Sequence, residues 1–280
     1  MKKKLNNGTI IKVIISLITF TIFIITMLPK ILRWLGLHPK YDSKAYDLEG
    51  KKALIITTSQ DTLGQTEKAT GVYSSEMTVP YYEFLDNGMN VDLASIKGGE
   101  IPIEPSSIRW PLATEADKRS LKDNVFQKKV KNSILVDNVN IDNYDLIFMA
   151  GGWGASYDLG QSEVLGEKIS EAYKKDKIIG SVCHGALGFL RAVDEKGNSL
   201  IKDKQMTAVT DKQIKELGIT KTPLHPETEL RRAGVDFESE TALLDTFANH
   251  IVRDGNIVTG QNQNSGAMVA NLMMQLVSNK

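Results

Sequence analysis

The sequence predicts an α/β fold: a mostly parallel sheet, doubly wound with helices on both faces, preceded by one N-terminal transmembrane helix. Three observations carry that reading. From Lys51 onward, short β-branched runs alternate with amphipathic stretches, the pattern of strands joined through crossover helices. The run from Thr9 to Leu28 is apolar, and no charge falls between Lys12 and Lys30. The stretch IGSVCHGALG joins a strand pattern to a helical one at Cys183, the single cysteine of the 280-residue chain.

In chain order, the apolar run comes first. Residues 13–29 cover about 25 Å at about 1.5 Å each, and Ile10, Ile11 and a snorkelling Lys12 extend this toward the ~30 Å hydrocarbon core. Met1-Lys-Lys-Lys4 is also how a signal peptide opens, but TMLPKILRW offers no small-x-small cleavage site. β-Branched residues on every face leave no polar stripe for a soluble helix. Residues 1–30 therefore read as an uncleaved anchor. Residues 31–50, with Trp34 at interfacial depth, read as a juxtamembrane connector. Lys2, Lys3, Lys4 and Lys12 nearly balance Lys30, Arg33, Lys40 and Lys44 across the span. The short N-terminal flank tips the balance toward a cytoplasmic N-terminus, with the soluble domain on the extracytoplasmic side.

The soluble domain, 51–280, is expected to hold strands at 53–59, 91–95, 145–152, 177–182 and 205–209. Helices are expected at 74–87, ending before Gly88, at 115–130, at 161–175, and briefly from Cys183. Asp254-Gly255 centres a hairpin in HIVRDGNIVTG, and residues 265–278 form a last helix with Ser265 as N-cap. One domain of this length lies within the usual range.

Composition excludes little. Lys+Arg and Asp+Glu number 34 each, so bulk charge favours neither nucleic acid nor an acidic substrate. One cysteine forms no internal disulfide, which leaves the compartment open on that ground. No Cys/His cluster has metal-ligand spacing and no glycine loop matches a nucleotide fingerprint, so neither metal nor cofactor is expected. His38 and His250 show no partner in the sequence.

Cys183 is the candidate reactive residue. It follows the strand KIIGSV and precedes the helical ALGFLRAV, an arrangement that projects a side chain at the carboxyl edge of a sheet. Gly180 and Gly185 relieve crowding there, and a helix N-terminus beneath favours a thiolate. A lone cysteine out of context is an inert buried residue more often than a nucleophile. The strand, the glycine pair and the adjacent His184 reverse that preference here.

These residues also carry a family resemblance. SVCHGALGFL resembles the elbow of the PfpI-like superfamily, of the class I glutamine amidotransferase-like fold. TGVYSSEMTVPYYEFLDNGMNVDLAS, GGEIPIEPSS, DLIFMAGGWGASYDL, LIKDKQMTAVTDKQ and RDGNIVTGQNQNSG, in that order, resemble its glyoxalase III-like and stress-chaperone branch. The resemblance implies a flavodoxin-like sandwich with Cys183 as nucleophile, His184 as neighbouring base and Glu76 as acidic partner. It implies cofactor-free conversion of methylglyoxal to lactate, a lyase (hydro-lyase) reaction with hydrolase chemistry as the alternative. A small aldehyde is then the expected substrate and the membrane the expected partner of the N-terminal helix. A homodimer is left open, and no nucleic acid is expected.

Read from the residues alone, Glu76 lies near the start of the helix after the first strand and faces the same sheet edge as Cys183. A first-turn glutamate also suits the helix dipole, whereas proton shuttling requires burial that raises its pKa. Backbone N–H groups of Gly151 and Gly152, with that of His184, are placed to hold a developing oxyanion; glycines there also serve as turn residues. The branch commonly reads Gly-Gly-His-Gly where this chain has Gly151-Gly152-Trp153-Gly154. Trp153 is expected at the substrate pocket, reshaping it for a different aldehyde, weakening proton transfer, or packing over its rim. Protein deglycase, cysteine peptidase and holdase chaperone are alternatives on the same fold. His225-Pro-Glu227 matches the His-x-Glu of glutamine amidotransferases, but those enzymes place it near the domain end and lack a histidine after the cysteine. A loop with Glu227 opening a helix is the expectation.

Overall fold

The computed structural model describes residues 7–219 and 221–280; the lysines at 2–4 weighed above lie outside them. Helix α1 (Asn7–Trp34) carries the apolar run through Pro29 and buries none of its residues. Among the described residues it is the one helix long and apolar enough to cross a membrane. It runs past residue 30 and stops where Gly36 adopts a φ of 108°. The N–H of Leu37 there reaches back to the Leu32 carbonyl, the 6→1 bond of a glycine-terminated helix. Leu37 and Leu48 of the following segment are buried against the domain.

The remaining elements are β1 (Lys52–Thr57), α2 (Ser74–Asp86), β2 (Asn90–Ser95), α3 (Glu115–Ser120), α4 (Asn124–Lys131), β3 (Ile134–Leu135), β4 (Leu146–Met149), α5 (Ala155–Asp158), α6 (Glu163–Lys174), β5 (Ile178–Val182), β6 (Gln205–Met206), α7 (Asp211–Glu216), α8 (Pro226–Arg232), β7 (Asp236–Phe237), β8 (Ile251–Asp254), β9 (Ile257–Gly260) and α9 (Gly266–Ser278). The main sheet runs β3-β2-β1-β4-β5-β9-β8. Its pairings are parallel except the β8–β9 hairpin at Asp254-Gly255.

The strands are apolar runs because the sheet is covered on both faces. Alternation divides each strand between two cores: Ala53, Ile55, Leu146, Phe148 and Val182 meet α2, α4 and α9, while Leu54, Ile56, Ile147, Met149 and Ile179 meet α6 and α8. This is the doubly wound α/β sandwich that the strand pattern predicts. Its crossovers bring the ends of β1, β4 and β5 to one carboxyl edge, where such folds hold ligands.

Four local expectations are corrected. The helix expected at 115–130 is two, because the Asp123 carboxylate accepts from the N–H groups of Val125 and Phe126 at 2.9 and 3.1 Å and starts α4 afresh. The run at 205–209 contributes only β6, paired with β7 in a small separate sheet, since β9 already occupies the place beside β5. The turn from Cys183 to Phe189 is 3-10 rather than α-helical. Ser265 does not cap α9: its hydroxyl lies 2.8 Å from Asn249 Oδ1 and 2.9 Å from the His250 carbonyl, and its backbone is already helical.

Candidate active site

Three chain segments converge at the carboxyl edge: the turn after β5 brings Cys183 and His184, the loop after β4 brings Gly151 to Trp153, and the first turn of α2 brings Glu76. Cys183 has a φ of 57°, a left-handed conformation that costs a non-glycine residue of order 1–3 kcal/mol and aims its side chain out of the strand. The thiol is nonetheless covered, with the residue 7% exposed. Cys183 Sγ lies 3.5 Å from His184 Nδ1. The Glu76 carboxyl faces the thiol and the Gly151 backbone, and among the described residues its Oε2 is buried without a hydrogen-bond partner. The N–H groups of Gly152 and His184 point at the sulfur.

Close approach explains the glycines. A Cβ at Gly151 would fall 2.6 Å from Glu76 Oε2 and 2.7 Å from the His184 nitrogen. At Gly152, with φ 100°, it would fall 2.3 Å from the Tyr73 nitrogen. Any side chain here would push the carboxyl, the thiol turn and α2 apart.

Burial sets the electrostatics. Removal from water raises the Glu76 pKa to about 8, opposed by the Cys183 thiol and the Gly151 N–H that face the carboxyl. Burial also pushes the thiol up, with the Glu76 charge adding to the rise and the N–H groups of His184 and Gly152 opposing it. The expectation of a thiol depressed by a helix N-terminus is thus not met: desolvation outweighs a single 3-10 turn. Both shifts run toward the protonated forms, so thiol and carboxyl titrate as a coupled pair that keeps its protons at neutral pH. While a proton sits on Glu76, the charge opposing the thiolate is gone. His184 is pushed down to about 3, first by burial and then by the charge of His225, so its ring is neutral.

A family model described as DJ-1/PfpI matches residues 68–276, most of the domain and all three converging segments. The chain belongs to the DJ-1/PfpI family. Among its relatives, a glutathione-independent glyoxalase of Schizosaccharomyces pombe is 27% identical over 233 residues, covering 79% of this chain and 93% of that protein. One of Saccharomyces cerevisiae is 28% identical over 229 residues, covering 79% and 95%. The crystal structure of glyoxalase III from Candida albicans superposes with a TM-score of 0.73 at 27% identity, covering 80% of this chain and 96% of that one.

Within this DJ-1/PfpI domain, Cys183, His184 and Glu76 come together as the sequence implies. Of the groups expected to hold an oxyanion, Gly152 and His184 face the sulfur, whereas Gly151 faces the Glu76 carboxyl. Trp153 meets the His184 ring edge-on, with centroids 5.1 Å apart, and packs against the core. Among the described residues, His184 Nε2 is buried without a hydrogen-bond partner. His225 precedes α8, its Nδ1 3.5 Å from Asp211 Oδ1, while Glu227 accepts from the Asp211 N–H and from Arg231. That Glu227 is committed to α7 and α8. Sequence reading missed Tyr73, whose hydroxyl is held well above its usual pKa by burial and by Glu76. It also missed Asp117, which the Thr114-x-x-Asp117 capping pattern would have marked.

Proposed function

We propose that the chain is a membrane-anchored, cofactor-independent glyoxalase III-like enzyme that converts an α-oxoaldehyde such as methylglyoxal to its 2-hydroxy acid. The observation that carries the reading is the left-handed Cys183, its sulfur within 3.5 Å of His184 Nδ1 and against the Glu76 carboxyl. The names of the relatives support the same chemistry.

In this reading the pair first loses one of its two protons to solvent, and the Cys183 sulfur then adds to the aldehyde carbon. The N–H groups of Gly152 and His184 steady the oxygen, and the proton shared with Glu76 passes to it, giving a hemithioacetal. Glu76 is then an ionised carboxylate in a dry site and a stronger base than in water. It takes the proton from C1, forming an enediolate, and returns it to C2, while neutral His184 moves the hydroxyl proton from O1 to O2. The product is a 2-hydroxyacyl thioester of Cys183. Water attacks its carbonyl, the thiolate leaves and takes up a proton, and the hydroxy acid departs. Helix α1 holds the domain at the membrane, on the extracytoplasmic side.

The test is lactate formation from methylglyoxal by the full chain in detergent. Cys183→Ala is expected to abolish turnover while keeping the wild-type thermal midpoint, since loss of a covalent nucleophile costs several orders of magnitude. Activity retained within about twofold would sink the enzymatic reading.

A further inference from the structure

Asp117 is 1% exposed, and its carboxylate is held by hydroxyls and one backbone amide. Oδ2 accepts from the N–H and the hydroxyl of Thr114, each at 2.7 Å. Oδ1 leaves α3 and accepts from Ser74 Oγ at 2.6 Å and from Thr78 Oγ1 at 2.7 Å. None of these donors is a cation. Burying a carboxyl costs free energy unless its oxygens are hydrogen-bonded, and capping a six-residue helix does not require one.

What the carboxyl achieves is a clamp of four hydrogen bonds, accepted by its two oxygens, between two helices. Ser74 and Thr78 lie two residues before and two residues after Glu76, so Oδ1 grips the first turn of α2 on both sides of that carboxyl. A second strap reinforces the first: the Ser74 N–H donates to Ser107 Oγ at 3.0 Å, and the Ser107 hydroxyl donates to the Glu104 carbonyl at 2.6 Å. The Thr70 hydroxyl donates to Glu104 Oε2 at 2.9 Å. The titratable groups facing Asp117 from the packed elements are His38 of the connector and Tyr73 beside α2.

We propose that Asp117 is a positioning residue for Glu76, holding the first turn of α2 so that the Glu76 carboxyl rests against the Cys183 sulfur. The proposal rests on Glu76 as the proton-transfer group of the reaction above. Asparagine keeps the shape of Asp117 but turns one acceptor into a donor, so either the clamp or the cap is lost. The α2 turn is then free to shift, and a displacement of about 1 Å at a reacting group costs on the order of a hundredfold.

The experiment measures two quantities in the full chain. One is kcat for lactate formation. The other is the midpoint of the pH–rate curve for iodoacetamide alkylation of Cys183, which reads the thiol–carboxyl pair without turnover. Asp117→Asn is expected to lower kcat roughly tenfold to a hundredfold with KM within about twofold. It should move the alkylation midpoint in the same direction as Glu76→Gln does, and neither quantity should change further when Asp117→Asn is placed on Glu76→Gln. Ser74→Ala with Thr78→Val, which leaves the Asp117 cap intact, should reproduce both effects if Asp117→Asn fails to fold. Equal losses with and without the Glu76 carboxyl, or an unmoved alkylation midpoint in the Ser74/Thr78 variant, would overturn the proposal. Absence of lactate from the wild type would refute the glyoxalase reading alone, because the alkylation curve still decides the role of Asp117.

Discussion

The indole of Trp153 stands edge-on to the imidazole of His184, with ring centroids 5.1 Å apart and planes at 66°. The contact makes the tryptophan a wall of the site. It covers one side of a histidine whose burial keeps it neutral, and in the proposed reaction such a histidine would pass a proton between oxygens rather than offer a positive charge.

Trp153→Ala should therefore admit water to His184 and return its pKa from about 3 toward the ordinary 6.5, read as the chemical-shift titration of its ring protons. The loss of packing should cost about 3 kcal/mol in denaturant unfolding. A His184 that stays uncharged to pH 4 in this variant would show that the other walls suffice.

Glu76 should impose a pH dependence on stability. Its folded pKa of about 8 lies above the unfolded value of 4.5, so the folded state binds the extra proton between those limits. The contribution is fully present below pH 4.5 and is lost as pH rises through 8. Glu76→Gln removes the burden of ionising a buried carboxyl. Its thermal midpoint relative to wild type should rise steadily from pH 5 to pH 8, by several kcal/mol equivalent at most. A difference independent of pH would mean that the carboxyl is already ionised in the folded protein.

The two rival acidic partners of the cysteine make opposite predictions. Glu76→Gln should lower kcat for lactate formation by about 10²–10⁴, the range for losing a positioned acid–base group. His225→Ala should leave it within about threefold, because Glu227 is tied to Asp211 and Arg231. The reverse ranking would move the chemistry to the amidotransferase dyad, and glutamine hydrolysis by the purified chain would then be the assay.

Where the sequence was legible, one local pattern settled one local question. Strand runs such as ALIITTS are apolar on both faces whatever surrounds them, and KIIGSVCHG marks its own turn. The Cys183–His184–Glu76 set was legible through motif order. What eluded the sequence depends on tertiary competition. The QMTAV run is strand-like, yet the hairpin of β8 and β9 fills the place it would take. Helix N-terminus logic favoured a thiolate at Cys183, but burial outweighed it. Asp117 belongs to none of the motifs that mark the site, because its clamp partners Ser74 and Thr78 lie some forty positions away.

The last prediction concerns where the domain can be cut from its anchor. Composition placed the boundary near Lys51, but the connector is seated on the domain well before that. Leu37 is 5% exposed, the His38 N–H donates to Asn264 Oδ1 at 2.8 Å, and Asn271 Nδ2 donates to the Lys44 carbonyl at 2.9 Å. Removing residues 1–35 takes away α1, none of whose residues is buried, and should release a soluble domain with wild-type stability and activity. Removing residues 1–45 also strips Leu37 and both hydrogen bonds, and should cost about 2–3 kcal/mol in urea unfolding. The full chain should stay with membranes in alkaline carbonate, as a spanning helix does and a surface-bound one does not. Equal stability of the two truncations would mean that the connector does not hold this seat in solution, and a full-length chain in the soluble fraction would refute the anchor.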